Sequence, residues 1–459
     1  MKLISTKMKF ILSENDQLFL SNKLITQLRL FPNQKITLYF GFHQMTVRII
    51  EKNINQDQIA ITSSVKNKLH IPYPKQILLK REEDGLRIGP IIGILTTDYS
   101  GKKFSNSRPF LQQHFDHFFK QLLKPAYSYP AYYFVFTPDQ VNLRDKTVIG
   151  YFCSKNQKGE HWQSLSVPLP DVVYNRVPNR SSEKSLPVIQ FKENYSRMGG
   201  KLFNQGFFNK WEMHQLLSTD QQIKKYFPET YSNPQLRTLE YMLNQYPLIY
   251  LKPSGGSLGL GIYKVKRENQ HYLLSYRYQN TNKILPFRNL ANLHKAVFKN
   301  THKISNYLIQ QGIPLIKYND SPVDFRVHLH KNKKNEWQVV ATGAKAAGKG
   351  SVTTHIRTGG KLLDAKQFIQ MKFQSQANTI IEKMTHSAIE IAKVAEEKIG
   401  TPIGELGLDM GIDQQAQIWL FEMNSKPGRS IFKHPNLKQS SLLSTRYLLE
   451  YGIYLAGFY

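Results

Sequence analysis

The chain has 459 residues, of which 62 are Lys or Arg and 33 are Asp or Glu, giving a formal net charge of +29. This length suits roughly two to four domains, and the single cysteine, Cys153, excludes a disulfide framework, a cysteine zinc site and an iron–sulfur cluster. No apolar run approaches the roughly 18 residues of a membrane helix, so we expect a soluble protein of a reducing compartment. The charge favours an anionic partner, although a solubilising surface charge fits the composition equally well.

Residues 1–85 are predicted to form a small β-rich domain with an internal repeat. The segments 18–38 and 59–79 align at a constant offset of 41 residues, with Leu20 matching Ile61 and Ser21 matching Thr62. Each half reads as a strand, a polar helix cap, a short helical turn and a second strand. The duplication favours a small barrel of the double-psi type, and nothing in it suggests catalysis.

Residues 86–200 alternate predicted strands with a predicted helix. Buried strands are expected at 91–95 and 132–136, with a helix over 107–124 between them. Further strands are expected at 162–167 and 172–174. This alternation favours a small α/β layer.

From residue 201 onward the chain shows no further boundary and is predicted to be one domain. Its clearest element is an amphipathic helix over 377–399, ended by Gly400 as a C-cap. A closing helix is expected from about Ser440. The strand-like runs lie at 247–251, 261–266, 271–276, 306–310, 324–330, 336–342, 407–412 and 417–423.

A glycine-rich loop over 252–261 is the first candidate for ligand binding. Glycines let backbone N–H groups approach phosphate oxygens, and Lys252 can offset the phosphate charge. Dinucleotide and Walker A loops open into a helix, whereas this loop joins two predicted strands. The pattern therefore predicts a hairpin flap over a triphosphate, with an ordinary turn as the alternative.

Acidic and amide side chains near the C-terminus form the second candidate. Asp409 precedes Glu422 by thirteen residues, and strand alternation puts Glu422 and Asn424 on one face, with Phe421 and Met423 directed into the core. Two carboxylates and an amide oxygen suit Mg²⁺. The alternative is a polar strand face at a sheet edge.

The third candidate is the strand from Asp324 to His330. Alternation places Asp324, Arg326, His328 and His330 on one face, and the planar guanidinium of Arg326 suits a phosphate. The two histidines have the spacing of metal ligands but no third soft ligand nearby in the sequence. They are therefore interpreted as solvated or supporting residues.

Together these motifs resemble the ATP-grasp superfamily, and within it the endospore coat-associated YheC/YheD-type proteins. The resemblance covers about residues 85–440 and rests on Lys252 to Gly259, Pro322 to Val327, and Gly407 to Asp409 with Trp419 to Gly428. It implies an α+β ATP-grasp fold over 201–459, with ATP between two subdomains. A pre-ATP-grasp α/β domain over 86–200 and the β-barrel-like domain over 1–85 precede it.

The resemblance also implies roles for single residues. ATP is expected to contact Lys210, Lys252, Ser254, Gly255, Gly256, Ser257, Gln310, Gln311 and Ile313, the last three in a hinge that lines adenine. Two Mg²⁺ ions, with Mn²⁺ as a substitute, are expected at Asp409, Glu422 and Asn424. The candidate catalytic residues are Arg326, Arg357 and Arg429. Because Gly407 stands where D-alanine–D-alanine ligases have an arginine, that family's substrate is not transferred.

The predicted activity is an ATP-dependent carboxylate–amine ligation that proceeds through an acyl phosphate and releases ADP, with a thiol as the second-choice acceptor. The expected substrate is an acidic peptide, amino acid or polymer, in a sporulation setting. The expected location is the cytoplasm, with association with the endospore coat. One alternative is a non-catalytic spore-coat protein that binds polyanions. A nucleic-acid binder is the other, disfavoured because no recognition module is evident.

Overall fold

The computed structural model describes residues 3–55, 57–97, 113–156, 159–256, 260–278, 281–298, 301–348, 350–354 and 359–459. The chain divides into two compact units. The first unit comprises Met1–Phe207, Lys331–Glu336 and Thr445–Tyr459, and the second comprises Phe208–His330 and Trp337–Ser444. Within the described ranges, no helix has both the length and the apolar character that crossing a bilayer requires.

The first unit begins with a closed barrel of seven strands in the order β1-β5-β2-β4-β3-β7-β6. The strands are β1 (Ile4–Ile11), β2 (Gln17–Leu20), β3 (Lys35–Phe40), β4 (His43–Glu51), β5 (Gln58–Thr62), β6 (Gln76–Arg81) and β7 (Gly85–Gly89), with helices α1 (Asn22–Leu28) and α2 (Ser63–Lys68).

The barrel preserves the sequence repeat down to its helix caps. The side chain of Ser21 accepts a hydrogen bond from the Leu24 amide at the start of α1. Thr62, which the repeat matches to Ser21, accepts one from the Val65 amide at the start of α2. The predicted small N-terminal barrel is therefore confirmed.

A second sheet of the first unit has the order β10-β11-β9-β8-β13-β14, with β12 paired to β11. Its strands are β8 (Ile91–Leu95), β9 (Tyr132–Phe136), β10 (Val141–Asn142), β11 (Thr147–Asn156), β12 (Gly159–Pro168), β13 (Val172–Asn175) and β14 (Lys201–Phe203). Helices α3 (Gln113–Leu123), α4 (Arg180–Glu183) and α5 (Leu186–Arg197) accompany it. The helix predicted over 107–124 is thus present from residue 113, and its earlier part lies outside the described residues.

The second unit contains a six-stranded sheet in the order β15-β20-β16-β17-β18-β19. Its strands are β15 (Thr230–Ser232), β16 (Leu248–Pro253), β17 (Tyr263–Glu268), β18 (His271–Tyr278), β19 (Thr281–Phe287) and β20 (Tyr307–Gln311), accompanied by helices α6 (Lys210–Leu217), α7 (Leu236–Gln245) and α8 (Leu290–Val297). β16 and β17 pair antiparallel. The glycine-rich loop therefore joins two neighbouring strands, as predicted.

The other sheet of the second unit has the order β24-β23-β22-β25-β26, with β21 paired to β22. Its strands are β21 (Lys317–Tyr318), β22 (Ser321–Lys331), β23 (Trp337–Ala346), β24 (Lys361–Asp364), β25 (Glu405–Ile412) and β26 (Ile418–Asn424). The remaining helices are α9 (Ala365–Phe373), α10 (Ala377–Ile399) and α11 (Lys438–Leu455). The bounds of α10 are those predicted, and Gly400 ends it with a φ of 67°.

One face of this sheet packs against α9 and α10. The core joins Phe325, Val327 and Leu408 of the sheet to Ile380 and Ile391 of α10. Because side chains alternate along a strand, the intervening polar residues of β22 and β25 lie on the opposite face. The core thus determines the face on which the candidate site forms.

Candidate active site

Neighbouring strands of the second unit place charged side chains in one cross-strand row. Arg326 on β22 is paired with Asp409 on β25, and Asp409 is paired with Glu422 on β26. In the next row Gly407 is paired with Asn424. Directly opposed side chains lie within contact distance, so the register brings together four of the residues expected from the sequence.

Asp409 lies at the centre of a network of charges. Arg326 donates from Nε to Asp409 Oδ1 at 2.9 Å and from Nη2 to Oδ2 at 2.8 Å, a bidentate pair. Lys345 Nζ donates to Oδ1 at 3.1 Å, and Asn424 Nδ2 lies 3.4 Å from Oδ2. Burial would raise the pKa of Asp409, but the two cations hold it well below its usual range. Asp409 is therefore an anion at neutral pH.

Lys345 is a functional candidate that the sequence reasoning missed. Its side chain on β23 is buried, and Nζ lies 3.1 Å from Asp324 Oδ1 as well as 3.1 Å from Asp409 Oδ1. Burial alone would lower the pKa of Lys345, yet the two facing carboxylates raise it above its ordinary value. A lone charge in the small-residue run Gly343–Ala347 is the sequence signal that could have identified it.

Asp324 is the second carboxylate that contacts Lys345. Burial raises the pKa of Asp324, and Lys345 opposes that rise. The hydroxyl of Thr354 also donates to its carboxylate. Asp324 therefore belongs to the same charge network, through Lys345.

Lys210 links Glu422 to the base of the flap loop, residues 252–261. Its Nζ lies 3.0 Å from Glu422 Oε1 and donates to the Gly256 carbonyl at 2.5 Å. Its backbone N–H donates to the Ser254 carbonyl at 3.1 Å. Asn209 caps α6 through the Trp211 and Glu212 amides, which fixes Lys210 at the first helical position.

Lys252 is anchored from the other side of the flap loop. Its Nζ donates to Gln310 Oε1 at 2.5 Å, and Gln310 Nε2 donates to Thr230 Oγ1 at 3.1 Å. Burial lowers the pKa of Lys252 to about 8, although Glu422 acts in the opposite direction. The lysine is thus a poorly hydrated cation whose charge would gain from an anionic ligand.

The prediction that Phe421 points into the core is wrong. The pairing of β25 with β26 shifts register between Asp409 and Met410, so Phe421 is an extra residue in β26. A Cβ on Gly411 would lie 2.6 Å from the Phe421 ring, and Lys252 Nζ lies 5.6 Å from the centroid of that ring. Met423 is buried in the core, as predicted.

Gly407 has a steric reason to be glycine. A Cβ at this position would lie 2.5 Å from Pro427 Cβ and 3.0 Å from Arg326 Nη1. An arginine side chain at this position would collide with both. Arg326 occupies that space instead.

The other expected site residues are placed as follows. Arg429 donates to Ser444 Oγ at 2.9 Å and to the Ser441 carbonyl at 3.2 Å. In the hinge, Gln311 Oε1 accepts from the Glu229 amide at 3.2 Å, and Ile313 is buried. A Cβ on Gly255 would meet nothing within 4 Å. Arg357 and Ser257 lie outside the described residues.

The donor set fits a hard divalent cation. Asp409, Glu422 and Asn424 offer two carboxylates and an amide oxygen from two adjacent rows, the ligand type that Mg²⁺ prefers. Cationic side chains that can meet phosphate oxygens surround them: Lys210, Lys252, Arg326 and Lys345. The arrangement can therefore bind a metal-complexed polyphosphate.

Comparison with known proteins identifies the family to which the chain is similar. The family described as YheC/D like ATP-grasp matches residues 199–455. The endospore coat-associated protein YheD of Bacillus subtilis (strain 168) is 33% identical over 422 residues, covering 91% of this chain and 90% of that protein. The endospore coat-associated protein YheC of the same strain is 22% identical over 343 residues, covering 73% of this chain and 91% of that protein.

Solved structures are also similar, at lower identity. VanG D-Ala:D-Ser ligase from Enterococcus faecalis is 12% identical with a TM-score of 0.45, covering 80% of this chain and 99% of that one. D-alanyl-alanine synthetase A from Vibrio cholerae O1 biovar eltor str. N16961 is 13% identical with a TM-score of 0.41, covering 78% of this chain and 98% of that one.

Proposed function

The chain belongs to the YheC/D like ATP-grasp family, and from this premise we propose that it is an ATP-dependent ligase that joins a carboxylate to an amine. The observation that carries the proposal is the row Arg326–Asp409–Glu422, in which each carboxylate is paired with a cation. Asp409 is bonded to Arg326 and Lys345, and Glu422 is paired with Lys210. A protein that only packs in a spore layer has no use for such a partly buried set of charges, which is costly to desolvate.

ATP contacts are assigned to both ends of the flap loop. Lys252 and Lys210 bind phosphate oxygens. Lys252 lies at the base of the loop and is poorly hydrated, and Lys210, at the start of α6, contacts the loop through the Gly256 carbonyl. Backbone groups of Ser254, Gly255, Gly256 and Ser257 close over the triphosphate. The hinge residues Gln310, Gln311 and Ile313 line the adenine.

Asp409, Glu422 and Asn424 are assigned as ligands of two Mg²⁺ ions, for which Mn²⁺ can substitute. When bound, these ions neutralise phosphate charge and orient the triphosphate. In the described structure Lys210 and Lys345 neutralise the same carboxylates. We infer that these two lysines turn toward phosphate oxygens when metal and nucleotide are bound.

The proposed chemistry has two steps. A substrate carboxylate oxygen attacks the γ-phosphorus, the bond from that phosphorus to the β-phosphate oxygen breaks, and ADP leaves. An amine nitrogen then attacks the acyl carbon, phosphate departs with the bonding pair, and the nitrogen loses a proton. No protein nucleophile is needed, so the protein's task is positioning and electrostatic stabilisation.

Arginines are assigned to the anionic groups of these steps. Asp409 holds Arg326 through Nε and Nη2, so we assign its Nη1 to the acyl phosphate. Arg357 remains a second candidate for that group. Arg429 is a third, although its guanidinium is already bonded to Ser441 and Ser444.

The proposed substrate is an acidic peptide, amino acid or polymer encountered during sporulation, in the cytoplasm or at the endospore coat. Two observations support it: a net charge of +29, which exceeds what ATP and its metals require, and the relatives named endospore coat-associated proteins. A long anionic acceptor would be attracted by the positive field of the protein, and salt would weaken that attraction.

The test is ADP release in the presence of Mg²⁺, with candidate acidic peptides and amino acids, together with the mass of the product. With the wild-type protein and ATP, we expect acidic peptides to raise ADP release and to gain the mass of an acceptor minus water. With Glu422→Gln we expect neither the rise in ADP release nor the heavier product. DNA and heparin of equal charge should bind without raising turnover. Polyanion binding with no ADP release under any condition would instead support the non-catalytic spore-coat function.

A further inference from the structure

A second group of potential ligands lies on the same face of the sheet, beyond the ATP site. His328 and His330 are two residues apart on β22 and therefore share a face. Glu405 on β25 is paired directly with His330. The register thus supplies the third ligand that the neighbouring sequence lacks.

These three side chains are buried, which contradicts the interpretation of the histidines as solvated residues. His328 and His330 are 0% exposed and Glu405 is 1% exposed. Among the described residues, neither ring nitrogen of His328 has a hydrogen-bond partner. A buried polar group without a partner costs roughly 1–3 kcal/mol of stability. A bound species that pairs with the His328 nitrogen would remove this cost.

The distances suit a small cation. Nε2 of His328 lies 3.8 Å and Nε2 of His330 lies 3.9 Å from Glu405 Oε2, and one ligand atom from each residue lies within 4.8 Å of the others. Tetrahedral zinc with bonds of about 2.1 Å needs ligand atoms about 3.4 Å apart. Each histidine nitrogen must therefore approach Glu405 by about half an ångström. The two imidazole rings are stacked with 11° between their planes, so at least one ring must also rotate for both nitrogens to face the ion.

Neighbouring groups hold the two rings in place. The Ser444 hydroxyl lies 2.8 Å from His330 Nε2 and accepts from Arg429 Nη1 at 2.9 Å. The ring of Phe432 packs beside His328, with centroids 5.2 Å apart. The Phe432 ring restrains the orientation of His328, whereas the Ser444 hydroxyl lies beside the His330 nitrogen that faces Glu405 and is a candidate fourth ligand. The positive charge of Arg429 opposes the binding of a hard cation, such as Mg²⁺, that only electrostatic attraction would hold here. Imidazole nitrogens instead favour a transition metal.

We propose that His328, His330 and Glu405 bind a divalent transition-metal ion, Zn²⁺ being the best match to two imidazoles and one carboxylate. The site is distinct from the magnesium ligands, because its donors are mainly nitrogen and none of its three residues is Asp409, Glu422 or Asn424. His328 shares a cross-strand row with Asn424, with Gly407 between them. Since all three ligands are buried, the ion is structural and fastens β22 to β25. A water molecule or the Ser444 hydroxyl completes its coordination.

The test is metal binding by the full-length protein after chelator treatment. We expect one equivalent of Zn²⁺ or Co²⁺ per chain with submicromolar affinity, visible absorption of tetrahedral Co²⁺, and a higher melting temperature with metal. His328→Gln and Glu405→Gln should each weaken Co²⁺ binding at least a hundredfold. Ser444→Ala, which removes the candidate fourth ligand, should weaken it less than either of these variants, because a water molecule can take that position. His271→Gln, at an exposed histidine, is the matched control and should bind as the wild type does.

Two results would overturn the proposal. One is a wild-type protein that takes up less than one equivalent at micromolar metal, a result that needs no variant. The other is binding that Glu422→Gln abolishes and His328→Gln leaves unchanged, since the ion would then occupy the magnesium ligands. If His328→Gln melts far below the wild type in chelator, His328→Phe takes the place of that variant, because a phenylalanine ring retains the packing against Phe432.

Discussion

Replacing Lys252 should separate nucleotide binding from stability. Lys252→Met keeps the length of the side chain and removes its charge from a position where burial lowers the lysine pKa to about 8. The difference from 10.5, at 1.36 kcal/mol per pKa unit, corresponds to about 3 kcal/mol by which the folded environment, chiefly through burial, disfavours the charged lysine. The lost hydrogen bond to Gln310 offsets about 1 kcal/mol of this. Without nucleotide, the variant should therefore be as stable as the wild type or more stable by up to about 2 kcal/mol.

The stability difference should depend on pH in a defined direction. Below pH 8 the wild-type lysine is charged in both the folded and the unfolded chain, so the full desolvation cost is present. Between pH 8 and 10.5 the unfolded chain binds more protons than the folded one, and wild-type stability gains with rising pH. The advantage of Lys252→Met should therefore shrink over that interval.

ATP affinity should respond in the opposite sense. A charge-assisted phosphate contact is worth roughly 1.5–3 kcal/mol, so Lys252→Met should bind ATP about ten- to a hundredfold more weakly. If the protonated lysine is the binding form, the wild-type dissociation constant should rise about tenfold between pH 7 and pH 9, because the pKa is about 8. The variant should lack this rise.

Calorimetric titration with Mg·ATP and urea denaturation at pH 7, 8 and 9 measure both effects. Lys266→Met is the matched control. Lys266 lies on β17, the strand next to that of Lys252, where it is half exposed and paired with Glu268 of the same strand. An unchanged ATP dissociation constant in Lys252→Met would refute the assignment of the flap loop. A variant destabilised by several kcal/mol at pH 7 would refute the desolvation argument.

Three further predictions follow from the same contacts. Glu422→Gln should abolish Mg·ATP-dependent ADP release without changing the melting temperature, as ADP assays and thermal melts can show. Asp409→Ala should also cost about 3–5 kcal/mol of stability in urea titrations, because it leaves the buried Arg326 without its carboxylate and Lys345 with Asp324 alone. Gly407→Ala should cost about 1–3 kcal/mol through overpacking and reduce turnover by displacing Arg326, while Gly428→Ala, where a Cβ meets nothing within 4 Å, should change neither. Thr62→Ala should lower stability by about 1 kcal/mol in urea, through loss of the α2 cap.

Elements with strong local signals could be predicted from the sequence. The α10 pattern repeats at helical spacing over six turns, and the offset of 41 residues preserves both helix caps of the barrel. β19 was missed because it is exposed along nearly its whole length. Without a buried face, a strand shows no alternation of apolar and polar residues.

The site was predictable only as far as local periodicity reaches. Alternation along one strand places Glu422 and Asn424 on a common face. Lys345 enters the site from β23, and no local pattern shows that it contacts Asp409 and Asp324. The bulge at Phe421 adds one residue to β26 and turns the Phe421 side chain away from the core. The apolar run around it looks the same in the sequence with or without such an extra residue.

The two ends of β22 show why facing direction and burial must be separated. Alternation correctly places Asp324, Arg326, His328 and His330 on one face, but what covers that face changes along the strand. Asp324 and Arg326 are partly exposed, whereas both histidines are buried beside Phe432 and Ser444, which lie far away in the sequence. Partial exposure leaves the charged end open to water and to the proposed phosphate ligand, while burial at the other end suits the proposed metal site. One strand therefore offers two kinds of chemistry, and only tertiary packing divides them.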